Sequence, residues 1–160
     1  MERRKFFGLS AAVLAVAAAP VTSLNAVNFR ETNKGVWESE KTASAIKELF
    51  GSGGLKKTNK IKFDAPKLAE NGGSIPIGLS SKLDIETIAL FQDANPRAAT
   101  VVFSVPEGQK VDYDFRIKMR QTAMVTIVAK TRSGELLTTA KEIDVSIGGC
   151  GGWFITPPHI

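Results

Sequence analysis

The chain has 160 residues, 43% of them hydrophobic and 23% charged, with a formal net charge of +5. That is long enough for one domain with a substantial core and too short for two comfortable ones. A single histidine and a single cysteine argue against a protein-built zinc site, since a structural site wants four nitrogen or sulfur ligands, and lysines and arginines scattered among acids, without interleaved aromatics, argue against a nucleic-acid surface.

The first element in chain order is "MERRKFFGLSAAVLAVAAAPVTSLNA". A short basic start, an apolar stretch from Leu9 to Ala19 and small residues after it read as an export signal. The apolar stretch falls well short of the roughly 18–20 residues of a spanning helix. Arg3 and Arg4, followed by Phe6 and Phe7, resemble the twin-arginine signal; Glu2 and Gly8 depart from its usual pattern. An ordinary secretory signal carrying two arginines is the alternative. Cleavage is expected after Ala26 or within Ala17 to Ala19, with the bacterial periplasm as destination and no membrane anchor retained. Loss of residues 1–26 leaves a net charge of about +3.

Residues 27–60 read as a helix and a linker. "KTASAIKELFG" sets Ala43, Ile46, Leu49 and Phe50 along one helical face with Gly51 as the stop, and "GSGGLKKTNK" reads as a loop. From Ile61 the hydrophobic period becomes two. In "DYDFRIKMR", Tyr113, Phe115, Ile117 and Met119 alternate with charged residues, as in an antiparallel strand with one buried face. Val101, Phe103 and Val105 repeat the pattern. "MVTIVAK" is more uniformly apolar and suits a central strand, and "ELLTTAKEIDVSI" closes with Ile143, Val145 and Ile147 inward. Turn residues in "ENGGS", "DANPR", "PEGQK" and "RSGE" separate these runs. About seven short strands with no helices between them predict an all-β fold, an immunoglobulin-like β-sandwich spanning residues 61–147. A short N-terminal helix precedes it and a flexible glycine-rich arm follows; an open barrel is the rival architecture.

Residues 148–160, "GGCGGWFITPPHI", form that arm and its tail. Gly148, Gly149, Gly151 and Gly152 surround Cys150, the only cysteine. In an oxidising compartment cysteines are usually paired, yet this one has no partner in its chain. Glycine has no Cβ, so the segment is thin and permissive. Five extended residues reach at most about 17 Å, enough to carry a sulfur off the domain into a narrow channel of another protein. A free thiol has a pKa near 8.5, and the neutral flanks offer nothing to lower it, so activation is expected from a partner's site. The pattern points to a carrier with Cys150 as the attachment point, needing no cofactor or metal of its own. An exported module that uses Cys150 for an intermolecular disulfide is the alternative. An oxidoreductase would want a C-x-x-C pair or an ordered base beside the thiol, and neither is in the sequence.

The segments "APKLAENGGSIPIGL", "IALFQDANPRAATVVFSV" and "FRIKMRQTAMVTIVAKTRSGELLTTAKEIDVSIGGCGG", with the twin-arginine start, resemble the SoxY sulfur-carrier family over roughly Ile61 to Gly152. The resemblance implies an immunoglobulin-like domain paired with a second small β-protein, SoxZ, and thiosulfate-derived sulfur held on Cys150. It implies three further partners in the Sox system. A c-type cytochrome complex links thiosulfate to the thiol, a hydrolase releases sulfate, and a molybdenum-dependent sulfur dehydrogenase oxidises the remaining sulfane. In the family the glycine–cysteine motif usually ends the chain, whereas "WFITPPHI" follows it here. Trp153, Phe154 and Ile155 are bulky enough to obstruct a channel built for a glycine terminus, unless the tail is trimmed or docks on a partner. His159 reads as a solvated tail residue rather than a base.

Overall fold

The computed structural model describes residues 27–147, with only the backbone at Ile147. Three short helices lead into the sheets: α1 (Phe29–Thr32), α2 (Lys34–Glu38) and α3 (Thr42–Phe50). Asn28 caps α1, its side-chain oxygen accepting from the Arg30 amide at 3.2 Å. The Trp37 indole donates to the Phe29 carbonyl at 3.0 Å and lies under the Arg30 guanidinium, tying α2 to α1. Gly51, at φ 78°, ends α3, a conformation that favours glycine.

The buried face of α3 differs by one rung from the expectation. Ala45 is fully buried, with Ile46, Leu49 and Phe50 half-buried beside it, while Ala43 is exposed. Ala45–Leu49 and Ile46–Phe50 are spaced by four and stack on one face. Ala43, seven residues before Phe50, falls at the edge of that face farthest from Ala45 and is exposed.

Nine strands follow among the described residues: β1 (Leu55–Lys57), β2 (Ile61–Asp64), β3 (Leu68–Asn71), β4 (Ile75–Ser81), β5 (Ile85–Gln92), β6 (Ala99–Ser104), β7 (Val111–Ile117), β8 (Ala123–Thr131) and β9 (Leu136–Ile147). They form an immunoglobulin-like sandwich of two sheets. The larger runs β1-β9-β8-β5-β6, with β3 also paired to β9; the smaller is β2-β4-β7. The count exceeds the expected seven or so, with β1 ahead of the 61–147 span expected for the sandwich and β3 a short strand inside it. Both pair with β9 in parallel, Leu55 opposite Leu136 and Leu68 opposite Asp144, so part of the segment read as a loop is strand.

The main core lies between the sheets. Ile61, Phe63, Ile75, Ile77 and Leu79 from the small sheet meet Ile88, Leu90, Val125, Ile127 and Ile143 from the large one. Phe103 closes one open side against Tyr113 and Phe115, with ring centroids 4.7 and 5.5 Å away. A second cluster covers the outer face of the large sheet, where Ala89, Phe91 and Val128 pack under Val36 and Ala45 of the helices. Strands β5 and β8 are therefore buried on both faces over this region, which accounts for the unbroken apolar runs "IALF" and "IVA".

Strand β9 begins at the β8–β9 hairpin. The Thr131 amide donates to the Glu135 carbonyl at 3.0 Å and the Gly134 amide to the Thr131 carbonyl at 2.9 Å, with Gly134 at φ 87°. Arg132 pins the turn through the Asp84 carboxylate at 3.0 Å and the Val105 carbonyl at 2.6 Å. This turn fixes the register of β9, and a one-residue slip would exchange its two faces. Open space surrounds the Gly134 Cα, so Gly134→Ala is limited by backbone strain alone. It should cost about 1 kcal/mol in a urea titration.

Candidate functional site at the end of the last strand

Cys150, Gly148, Gly149, Gly151, Gly152 and the tail to His159 lie outside the described residues, as do Arg3 and Arg4. The structure defines the base from which the cysteine segment departs.

That base is built mainly from backbone. β8 accompanies β9 only to the pair Ala123–Ile143. Beyond it, β9 is carried by β3, with Ala69 opposite Val145 and Asn71 opposite Ile147. The Asp144 amide donates to the Lys67 carbonyl at 2.9 Å, and the Val145 amide donates to the Thr122 hydroxyl at 2.9 Å. The turn after β3 is braced in the same way. The Asn71 side-chain oxygen accepts from the Gly73 amide at 2.7 Å, and the Gly72 carbonyl accepts from the Met119 amide at 2.8 Å. Arg116 donates to the Ser74 hydroxyl at 3.3 Å. Sequence reasoning identified the last inward residues of β9, and Ile143 is indeed fully buried with Val145 packed against the core. It missed Thr122, Asn71 and Lys67, whose roles depend on partners far away in the chain. Only the turn preference of Asn71 was legible.

The described residues contain no histidine and no cysteine, and among them no cluster of three or more His, Cys, Asp or Glu could hold a metal. No described helix is long and apolar enough to cross a membrane. What the geometry offers is a rigid two-sheet platform with a braced strand end leading straight into the segment that holds the only thiol.

The fold is a β-sandwich whose last strand directly precedes the cysteine segment in sequence. A family model described as "Sulfur oxidation protein SoxY" matches residues 46–150, about two-thirds of the chain, and its match ends on Cys150. The chain belongs to the SoxY family. Among solved structures, the sulfur carrier protein SoxY from Chlorobium limicola f thiosulfatophilum is similar at 29% identity and a TM-score of 0.61, covering 67% of this chain and 97% of that one. A superoxide reductase (neelaredoxin) from Ignicoccus hospitalis is similar at 17% identity and a TM-score of 0.49, covering 54% of this chain and 80% of that one. No curated protein matches the chain.

Proposed function

We propose that the chain is the periplasmic sulfur carrier of a Sox thiosulfate-oxidation system, exported by the twin-arginine route, with Cys150 as the covalent attachment point. The observation that carries the reading is the family match running to the sole cysteine, three residues beyond the last residue of a braced strand. A SoxZ-like β-protein completes a heterodimer, and the chemistry belongs to partner enzymes.

The steps balance as carrier chemistry. The Cys150 thiolate and the outer sulfur of thiosulfate join in an S–S bond with release of two electrons, which the c-type cytochrome complex accepts. Water then cleaves the terminal sulfonate as sulfate under the hydrolase and leaves a persulfide on Cys150. The sulfur dehydrogenase oxidises that remaining sulfane to a sulfonate with three waters, passing six electrons to a cytochrome acceptor, and hydrolysis then releases it as a second sulfate and restores the thiol. Each step needs the sulfur to enter a separate active site, which a slender segment on a rigid platform allows.

Intact-mass spectra of protein isolated from thiosulfate-grown cells should show adducts on Cys150 that a thiol reductant removes. Spectra with only the unmodified chain, or with a disulfide dimer as the working species, would overturn the proposal.

A further inference from the structure

The end of the sandwich remote from Ile147, the last described residue of β9, gathers lysines that the sequence spreads over more than fifty positions. β9 runs about 36 Å from Leu136 to Ile147 at roughly 3.3 Å per residue, and its first residues pair with β1. At that same end β2 begins, β4 finishes and β7 begins, with Ile61 and Val111 both opposite Ser81. Lys60, Lys62, Lys82 and Lys110 line a cleft of about 620 Å³ there, with Asp112 as the one acid in the lining. The cleft shares Lys60 and Leu83 with a neighbouring groove of about 920 Å³. Lys56 and Lys57 edge that groove, and Leu83, Met124, Leu137 and Ala140 contribute apolar surface to it.

Most of this charge is uncompensated. Lys56 is bonded to Glu135 at 2.6 Å, and that contact, with a further pull from Lys60, holds the Glu135 carboxyl below its ordinary range against a small opposing effect of burial. Among the described residues no carboxylate lies within ion-pair distance of Lys57, Lys60, Lys62, Lys82 or Lys110. A concave surface whose lysines outnumber its acids, here Asp112 and Glu135, has a net positive field that steers an oppositely charged partner.

We propose that this lysine-rimmed pole is a docking surface for an acidic, protruding segment of a partner protein. The cleft volume is that of a site for a chain of several atoms or residues rather than a lone oxyanion. Its concave shape and apolar patches suit a convex peptide. Neither lining contains a tryptophan, tyrosine or phenylalanine, the residues that anchor proteins at a bilayer interface. A partner held here leaves the Ile147 end of β9 uncovered.

The test uses the full chain, unloaded and under reducing conditions, so it stands apart from the carrier reading. The probe is a fluorescent decaglutamate peptide followed by anisotropy at low and at physiological salt. The triple variant Lys62→Gln, Lys82→Gln, Lys110→Gln should bind it at least tenfold more weakly and lose most of the salt dependence. The control triple Lys34→Gln, Lys41→Gln, Lys47→Gln removes the same charge from the exposed side of the helices and should change binding by less than twofold. Equal losses in both triples would overturn the proposal. So would displacement of the peptide by millimolar pyrophosphate at matched ionic strength. Tighter, pole-dependent binding to phosphatidylglycerol vesicles than to the peptide would assign the surface to a membrane instead.

Discussion

Cys150→Ser should abolish carriage, lowering thiosulfate-dependent electron transfer in a reconstituted Sox system by at least ~100-fold, because a serine hydroxyl can neither ionise usefully near neutral pH nor form a sulfur–sulfur bond. Cys150→Ala should behave identically. Neither variant should shift the unfolding midpoint, since the packed clusters are built from residues between Val36 and Val145. Loss of activity with an unchanged melt is thus the signature of an attachment point rather than of a structural thiol. Full activity in Cys150→Ser would refute the carrier reading, whatever the fold resembles.

Phe91→Ala should produce the largest stability loss, about 3–5 kcal/mol out of the 5–15 kcal/mol typical of a domain. Phe91 is 0% exposed and sits under the helices among Val36, Ala45, Ala98, Ala99 and Val128. The register of β5 against β6 shifts between Leu90 and Phe91, so the ring fills the outer cluster next to a backbone irregularity that limits collapse around a void. The expected drop in melting temperature is roughly 10–20 °C, with faster proteolysis of residues 27–54. Phe91→Leu should cost about 1–2 kcal/mol, as it keeps most of the volume. A loss below about 1 kcal/mol for Phe91→Ala would mean the helices contribute little to the fold.

How much of this was legible in the sequence follows from the range of the forces involved. The period of two in "DYDFRIKMR" is local, and Ile117 and Met119 are buried where it placed them. The uniform apolar run in β8 marked a central strand, and β8 does lie between β5 and β9. Strands β1 and β3 were missed because three or four largely exposed residues show no alternation. Their pairing with β9 is set by contacts some 75 to 80 residues distant. Ala43 was chosen over Ala45 because an alanine-rich turn gives periodicity little contrast. The lysine pole was invisible for a related reason: Lys62 and Lys110 meet only because β2 and β7 both flank β4. Cys150 stands out in the sequence through its solitude and its glycine neighbours, and it lies outside the described residues.

The four terminal residues of β9 are sealed by β3 and Thr122 rather than by β8. Were that seam to open from its end, each residue released would lengthen the tether by about 3.3 Å. Unzipping as far as Asp144 would add roughly 13 Å to what the glycines provide. On the proposed carrier reading, the reach of Cys150 would then depend on this short parallel zipper as well as on the glycine count of the sequence.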